Sequence, residues 1–240
     1  MEFGMPKNIL FDIFHVIYFE INNLFYREKI KRLNFRKRLV SSNETSLIGY
    51  DKLKCIFVHI PKTAGISITN GLFQNMGGSH RTIKNYLLYF NNKDFNKYYK
   101  FCFVRNPWDR LVSSYVFLKN GGMHESDTKW AEKHLSNCKD FEDFVINFLH
   151  KKAVLNYIHF KPQFEFISFM NKILIDKIYK FEDIQSSINQ LNKILNTEVT
   201  LKHQNKSQKA KGYKEYYNEK TMKIVANFYR KDIISFNYKF

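Results

Sequence analysis

The chain has 240 residues, 44% of them hydrophobic, and carries 39 Lys and Arg against 22 Asp and Glu, a formal charge of +17. That length supports one substantial core with at most a small appendage, and the charge creates a positive field that draws anions such as nucleic acid, anionic polysaccharide or anionic lipid. Nucleic acid fits least, because the 24 Phe and 15 Tyr fall mostly in core-like strand and helix patterns rather than beside Lys and Arg on one face. The three cysteines, Cys55, Cys102 and Cys138, are odd in number, and the first two lie within apolar strand patterns. They read as reduced, buried thiols of a cytosolic protein, without a disulfide framework, and no Cys or His spacing matches a zinc site.

At the start of the chain, apolar residues at positions 10, 13, 14, 17, 21, 24 and 25 trace one helical face, with Asp12, His15, Glu20, Asn22 and Asn23 opposite. Those polar residues argue against a spanning helix, and Asp12 interrupts the apolar run a signal peptide would need. The basic tract Arg27, Lys29, Lys31, Arg32, Arg36, Lys37 and Arg38 follows. Residues 9–38 therefore read in two ways: an amphipathic and basic element on an anionic membrane surface, or a helix packed on the core or on a second subunit. Residues 1–48 are expected to form this helical extension and 49–240 the main domain, with the polar segment 41–49 as the linker between them.

Beyond the linker the patterns predict a strand at 53–59, helices at 65–75 and 82–90, a strand at 100–105 and a helix at 108–118. A Gly-containing loop to Asp127 precedes helices at 126–136 and 140–150, a strand at 177–181, and helices at 183–196 and 219–230. Strands alternating with helices imply a parallel α/β sheet, with the ligand at the carboxyl ends of its strands.

Two segments carry the chemistry. In Phe57-Val-His-Ile-Pro-Lys-Thr-Ala-Gly-Ile-Ser67 a strand pattern runs through a Pro and Gly turn into a helix. Unpaired backbone N–H groups at such a helix start face the loop, and Lys62, Thr63, Ser67 and Thr69 add one cation and three hydroxyls. The loop departs from the Walker A pattern, because Pro61 precedes Lys62 and the loop glycine, Gly65, comes after it. A magnesium-dependent nucleotide hydrolase is therefore disfavoured. The second segment, Phe101-Cys-Phe-Val-Arg-Asn-Pro-Trp-Asp-Arg-Leu-Val-Ser113, ends a strand on Arg105, places Pro107 in a first helical turn and puts Ser113 one to two turns further on. An arginine fork and a helix hydroxyl in that arrangement suit a second phosphate.

Together the two segments resemble the 5′-phosphosulfate loop and the 3′-phosphate motif of sulfotransferases that use 3′-phosphoadenosine 5′-phosphosulfate (PAPS). Their wording is similar to the carbohydrate sulfotransferase branch, with weaker echoes in Phe160-Lys-Pro-Gln163, Ile178-Tyr-Lys-Phe-Glu-Asp183 and Leu201-Lys-His-Gln-Asn-Lys-Ser207. The chain has Lys202 where the family usually shows Pro, and Ile66 where it usually shows Thr or Ser. The resemblance covers about residues 52–240. It implies an α/β fold, a three-layer P-loop-like parallel sheet flanked by helices, and transfer of a sulfuryl group from PAPS, without a metal, to a hydroxyl of a carbohydrate acceptor such as a capsular or lipid-linked glycan. The expected location is the cytoplasm of a bacterium, or the inner face of its membrane.

On this resemblance Pro61, Lys62, Thr63, Ala64, Gly65, Ile66 and Ser67 hold the phosphosulfate, with Lys62 as the cation for the leaving group. Arg105 and Ser113 hold the 3′-phosphate, and Lys206 and Ser207, in the Leu201 to Ser207 segment that helps close the nucleotide site, touch a phosphate. His80, in Gly77-Gly-Ser-His-Arg-Thr82, stands where related sequences often show His-x-Thr and is the leading base, with Glu165 and Glu182 as reserve carboxylates. His59 reads as structural, and His159, like His15, His124, His134 and His150, has no comparable context. Gln163 is either an acceptor contact or a turn anchor, and Arg110 either assists at the 3′-phosphate or pairs with Asp109 or Glu182. Two rival readings are a P-loop-like small-molecule kinase and a non-catalytic protein that binds anionic glycan or membrane.

Overall fold

The runs Cys55–Val58 (β1) and Tyr99–Val104 (β2) are almost wholly apolar, the composition of strands covered on both faces. In the computed structural model, which describes Ile17, Phe35, Arg36, Arg38 and residues 44–201 and 211–240, they pair in parallel. Two further short strands, Ser168–Phe169 (β3) and Lys172–Ile173 (β4), form a small antiparallel hairpin, and Lys177–Lys180 (β5) joins the main sheet. The main sheet has the order β1-β2-β5, all parallel. Cross-strand rings fix its register: Phe57 stacks on Phe101 with centroids 5.0 Å apart, and Phe103 on Tyr179 at 5.1 Å.

Helices connect and cover the strands. A helix at Ile48–Leu53 (α1) precedes β1, and Gly65–Phe73 (α2), Ile83–Tyr89 (α3) and Asn92–Lys97 (α4) lead from β1 to β2. Pro107–Lys119 (α5) and Glu125–Leu135 (α6) follow β2, then Phe141–Asp143 (α7), which continues into a π-helical turn at Phe144–Phe148. Lys152–Leu155 (α8) and Gln163–Ile167 (α9) come before the hairpin, Ile184–Leu195 (α10) follows β5, and Glu219–Phe228 (α11) and Arg230–Phe236 (α12) end the described chain.

The apolar interior forms two clusters. One surrounds the sheet and takes in Tyr50, Ile68, Tyr86, Phe90, Phe164 and Ile188, so the α/β expectation holds. The other is helical and gathers α5, α6, the π-helical turn and α11 around Leu111, Tyr115, Phe144 and Val225.

Residues 46–49, the end of the expected linker, belong to the folded unit. Ser46 and Leu47 are fully buried, and Ser46 N–H donates to Gly77 O at 2.9 Å. Most of residues 9–38 lies outside the described residues. Arg36 is an exception, because its guanidinium pairs with Asp51, lies 3.3 Å from Asp94 and sits over the Phe90 ring at 4.4 Å. That cation is held by the domain.

Gln163 settles as an anchor. It is fully buried, its Oε1 accepts from Arg105 N–H at 2.9 Å, and its Nε2 donates to Arg105 O at 2.8 Å. Its own N–H, with that of Phe164, donates to buried Asp232 at 2.8 Å. The backbone just past β2 is thereby satisfied where no strand continues. Gln163→Ala strands two buried backbone groups, each worth about 1–3 kcal/mol, so urea unfolding is expected to show a loss of about 2–6 kcal/mol. A loss below about 0.5 kcal/mol would show that water replaces the amide without cost.

Candidate active site

The loop from His59 to Ala64 leaves β1 and delivers the chain to the N-terminus of α2. Lys62 (φ 69°) and Ala64 (φ 63°) are both left-handed, either side of Thr63. Residues with a Cβ adopt this conformation at a cost of about 1–2 kcal/mol, so the surroundings must hold it. Two bonds do so: Thr63 Oγ1 donates to Ile60 O at 2.9 Å, and an Arg105 guanidinium N–H donates to Lys62 O at 3.0 Å. Left-handed residues alternating with ordinary ones are the backbone from which anion-binding nests are built. The hydroxyls divide. Thr63 and Thr69 are buried and donate to Ile60 O and Ile66 O, so they staple the loop and helix, while Ser67 is half-buried. Gly65 is required by a neighbour: a Cβ there would fall 1.8 Å from the His59 ring.

Three strand ends converge on this loop, as the parallel topology predicts. Arg105 follows β2, and its guanidinium lies over the ring of Phe181, which follows β5, at 4.4 Å. Its Nε donates to Asp109 Oδ2 at 2.7 Å. Asn106 N–H donates to Glu182 Oε1 at 2.6 Å, and its side chain caps α5 by accepting from Trp108 N–H at 3.1 Å. The expected partners of Arg110 are thus otherwise engaged. Arg110 is fully buried and donates to His159 O at 3.3 Å and Lys161 O at 2.7 Å, so it serves the backbone of residues 159–161. Ser113 is buried on the second turn of α5, and its neighbour Ser114 donates to His159 O at 3.0 Å.

Lys62 and Arg105 are therefore one unit, not two separate motifs. The Lys62 ammonium lies over the Phe117 ring at 4.0 Å. Its pKa is lowered to about 8, first by loss of hydration and then by the Arg105 charge, with Asp127 opposing. Two cations held together in this way favour an anion between them.

On the other side of Lys62 stands a cluster of imidazoles that local sequence patterns do not announce. His59 and His80 have ring centroids 4.2 Å apart, His80 and His159 5.8 Å, and Phe117 packs on His159 at 5.0 Å. His80 is placed by a tight turn in which Gly78 N–H donates to Tyr50 OH, itself bonded to Phe57 O. His80 Nδ1 lies 3.2 Å from His59 O. A carbonyl only accepts, so Nδ1 carries the proton and Nε2 keeps a lone pair, the form a base needs. Loss of hydration lowers its pKa to about 4, with the His159 and Lys62 charges adding to this and the bond to His59 O and the Asp127 charge opposing it.

The reserve carboxylates are placed elsewhere: Glu165 pairs with Lys161 at 2.9 Å, and Glu182 accepts from Asn106 N–H and Tyr238 OH. The carboxylate beside the cluster is Asp127, whose Oδ1 lies 3.6 Å from His159 Nε2. His159, which the sequence left without a role, and Asp127 join the site through folding alone. Lys206, Ser207 and His203 lie outside the described residues.

A family model described as the sulfotransferase family, the carbohydrate branch, matches residues 46–239. No curated protein and no solved structure matches the chain.

The lowered Lys62 pKa sets the sign of a pH effect. An anion binds the charged ammonium and raises its pKa, so affinity is lost as pH rises through the free-state value of about 8. Titration calorimetry with adenosine 3′,5′-bisphosphate is expected to give its highest affinity near pH 7, a decline of up to about tenfold per pH unit above 8, and a separate loss below about pH 6 as the phosphates themselves take up a second proton. Lys62→Arg, which stays charged, should remove the decline. A flat wild-type profile would show that Lys62 does not meet the phosphate.

Proposed function

We propose that this chain, which belongs to the sulfotransferase family, transfers the sulfuryl group of PAPS to a hydroxyl of a carbohydrate acceptor on a capsular or lipid-linked glycan. The family accounts for the activity and the donor. The observation that supports the residue roles is the hydrogen bond from Arg105 to Lys62 O, which ties the loop after β1 to the end of β2, while His80 bonds to the backbone of His59 in the same loop.

In this reading the N–H groups of the loop and the first turn of α2, from Pro61 to Ser67, surround the 5′-phosphosulfate, and Arg105 and Ser113 take the 3′-phosphate. Ile66 contributes backbone alone, and Thr63 contributes its N–H, since its hydroxyl is committed to Ile60. Lys206 and Ser207 contact a phosphate of the nucleotide. The acceptor oxygen gives its proton to His80 Nε2 and attacks sulfur. The bond from sulfur to the bridging oxygen breaks, and the departing phosphate keeps the electron pair, stabilised by Lys62. No metal is needed, because the sulfuryl group carries less charge than a terminal phosphate.

Among the described residues no helix is long and apolar enough to cross a membrane. The charge of +17 and the amphipathic, basic residues 9–38 support a cytoplasmic protein that meets its lipid-linked acceptor at the inner membrane face of a bacterium.

Transfer of labelled sulfuryl groups from PAPS tests these roles together, using soluble oligosaccharides and lipid-linked glycans in anionic vesicles as acceptors. Lys62→Ala is expected to lower kcat about 10²–10³-fold and His80→Ala about 10²–10⁴-fold. Removing residues 1–34, which leaves the Arg36 contacts in place, should slow transfer to the vesicle-borne acceptor alone. Wild-type turnover in Lys62→Ala contradicts the assignment of the loop, and equal loss on both acceptor types contradicts the membrane role.

A further inference from the structure

Asp127 is held with more donors than a helix cap needs. In the first turn of α6 its Oδ2 accepts from Met123 N–H at 3.1 Å and His124 N–H at 3.3 Å, and its Oδ1 accepts from Tyr157 OH at 2.6 Å. The chain wraps it closely, since a Cβ on Gly122, whose φ is +71°, would fall 2.1 Å from Asp127 Cβ. Tyr157 is itself fixed, its ring stacked on Trp130 at 3.9 Å. The same Oδ1 lies 3.6 Å from His159 Nε2, an ion-pair distance rather than a hydrogen bond.

His159 is 7% exposed, its carbonyl is pinned by Ser114 and Arg110, and its Nδ1 has no hydrogen-bond partner among the described residues. A ring nitrogen facing a carboxylate carries the proton, so Nε2–H points at Asp127 and the bare Nδ1 is the buried lone pair. This imidazole sits edge-on to His80 at 5.8 Å and packs on Phe117, whose ring carries the Lys62 ammonium.

We propose that Asp127, acting partly through His159, is the positioning acid of this site: it fixes the His159 tautomer against the edge of His80 and balances the positive charge His80 gains when it takes the acceptor's proton. This rests on the sulfuryl-transfer reading above. In the step, the O–H bond of the acceptor breaks and the proton goes to His80 Nε2. A new S–O bond forms, the bond from sulfur to the leaving phosphate breaks, and the imidazolium returns its proton to solvent after release. A buried imidazolium beside Lys62 and two further imidazoles would be unfavourable without a compensating anion.

The surrounding charges agree with this role. His80 faces His59, His159, Lys62 and Asp127, and His159 faces Asp127, Lys62 and Arg110; in both sets the carboxylate of Asp127 favours the protonated imidazole. It also favours the Lys62 ammonium. Burial alone would raise the Asp127 pKa, but its contacts with His159, Tyr157 and Met123 N–H outweigh burial and hold the carboxyl well below the usual range, so it stays charged at neutral pH.

Asp127→Asn tests the proposal without removing the cap, because an amide oxygen still accepts from Met123 and His124. The amide N–H then faces His159 Nε2 and forces the other tautomer. The expected result is a fall in kcat of about 10–100-fold, within the range of a base effect, with undiminished affinity for adenosine 3′,5′-bisphosphate. The acid limb of kcat/KM moves to lower pH, since His80 loses the charge that favours its protonation. A merely structural role would instead loosen the site, hydrate His80 and move that limb up toward the ordinary imidazole value of about 6.5. An upward shift, or wild-type kcat with an unmoved limb, overturns the proposal. Failure of the wild-type protein to bind the bisphosphate or to transfer sulfuryl groups overturns the underlying reading instead.

Discussion

The hydrogen bond from the Arg105 guanidinium to Lys62 O, 3.0 Å long, is the contact on which the rest of the site depends. It crosses from the end of β2 to the loop after β1 and helps hold Lys62 in a left-handed conformation that its side chain disfavours. Arg105 is in turn gripped from both sides, by Asp109 through its Nε and by Gln163 through its backbone N–H and carbonyl. With Phe181 beneath its guanidinium, the third strand is joined as well. Strain in the loop and rigidity at the strand ends are thus two sides of one arrangement, in which the cations are placed before any anion arrives. That is the preorganisation electrostatic catalysis requires.

Charge is distributed across the site in a consistent way. The side formed by the loop and Arg105 is cationic and lined by backbone N–H groups. The opposite side is built of neutral imidazoles whose protonation burial disfavours. Phe117 touches both the Lys62 ammonium and the His159 ring. A donor rich in negative charge and an acceptor that must give up a proton need those two environments at close range. The main sheet brings the loop cation and the imidazoles together, because Lys62 and His59 lie in the same loop and His80 bonds to the backbone of His59.

What the sequence made legible was local. The apolar runs of β1 and β2, the Pro and Gly of the loop, and Pro107 at the start of α5 act within a few residues and could be read directly. Helices α1, α4, α8 and α9 and the β3–β4 hairpin span two to six residues each, too few for a period to show, and α1 begins within the last residues of the polar segment 41–49 that suggested a linker. Partners of buried charges were not legible either. Arg110 serves the carbonyls of His159 and Lys161 rather than a neighbouring acid, and Gln163 closes the backbone of Arg105, both through contacts more than 45 residues apart. The group of Lys62, His80, Asp127 and His159 is drawn from four separate segments. A His two residues after an aromatic in Tyr157-Ile-His159 carries no local signal, and only the fold brings it to His80.

The central claim is that one doubly phosphorylated adenosine bridges the loop and Arg105. A crystal structure of the complex with adenosine 3′,5′-bisphosphate tests it most directly. The account predicts the 5′-phosphate within about 3 Å of the Lys62 ammonium and the N–H groups of residues 63–67, and the 3′-phosphate against Arg105 and Ser113. A nucleotide bound with either phosphate away from these groups, or one that leaves Lys62 on the Phe117 ring, would contradict it.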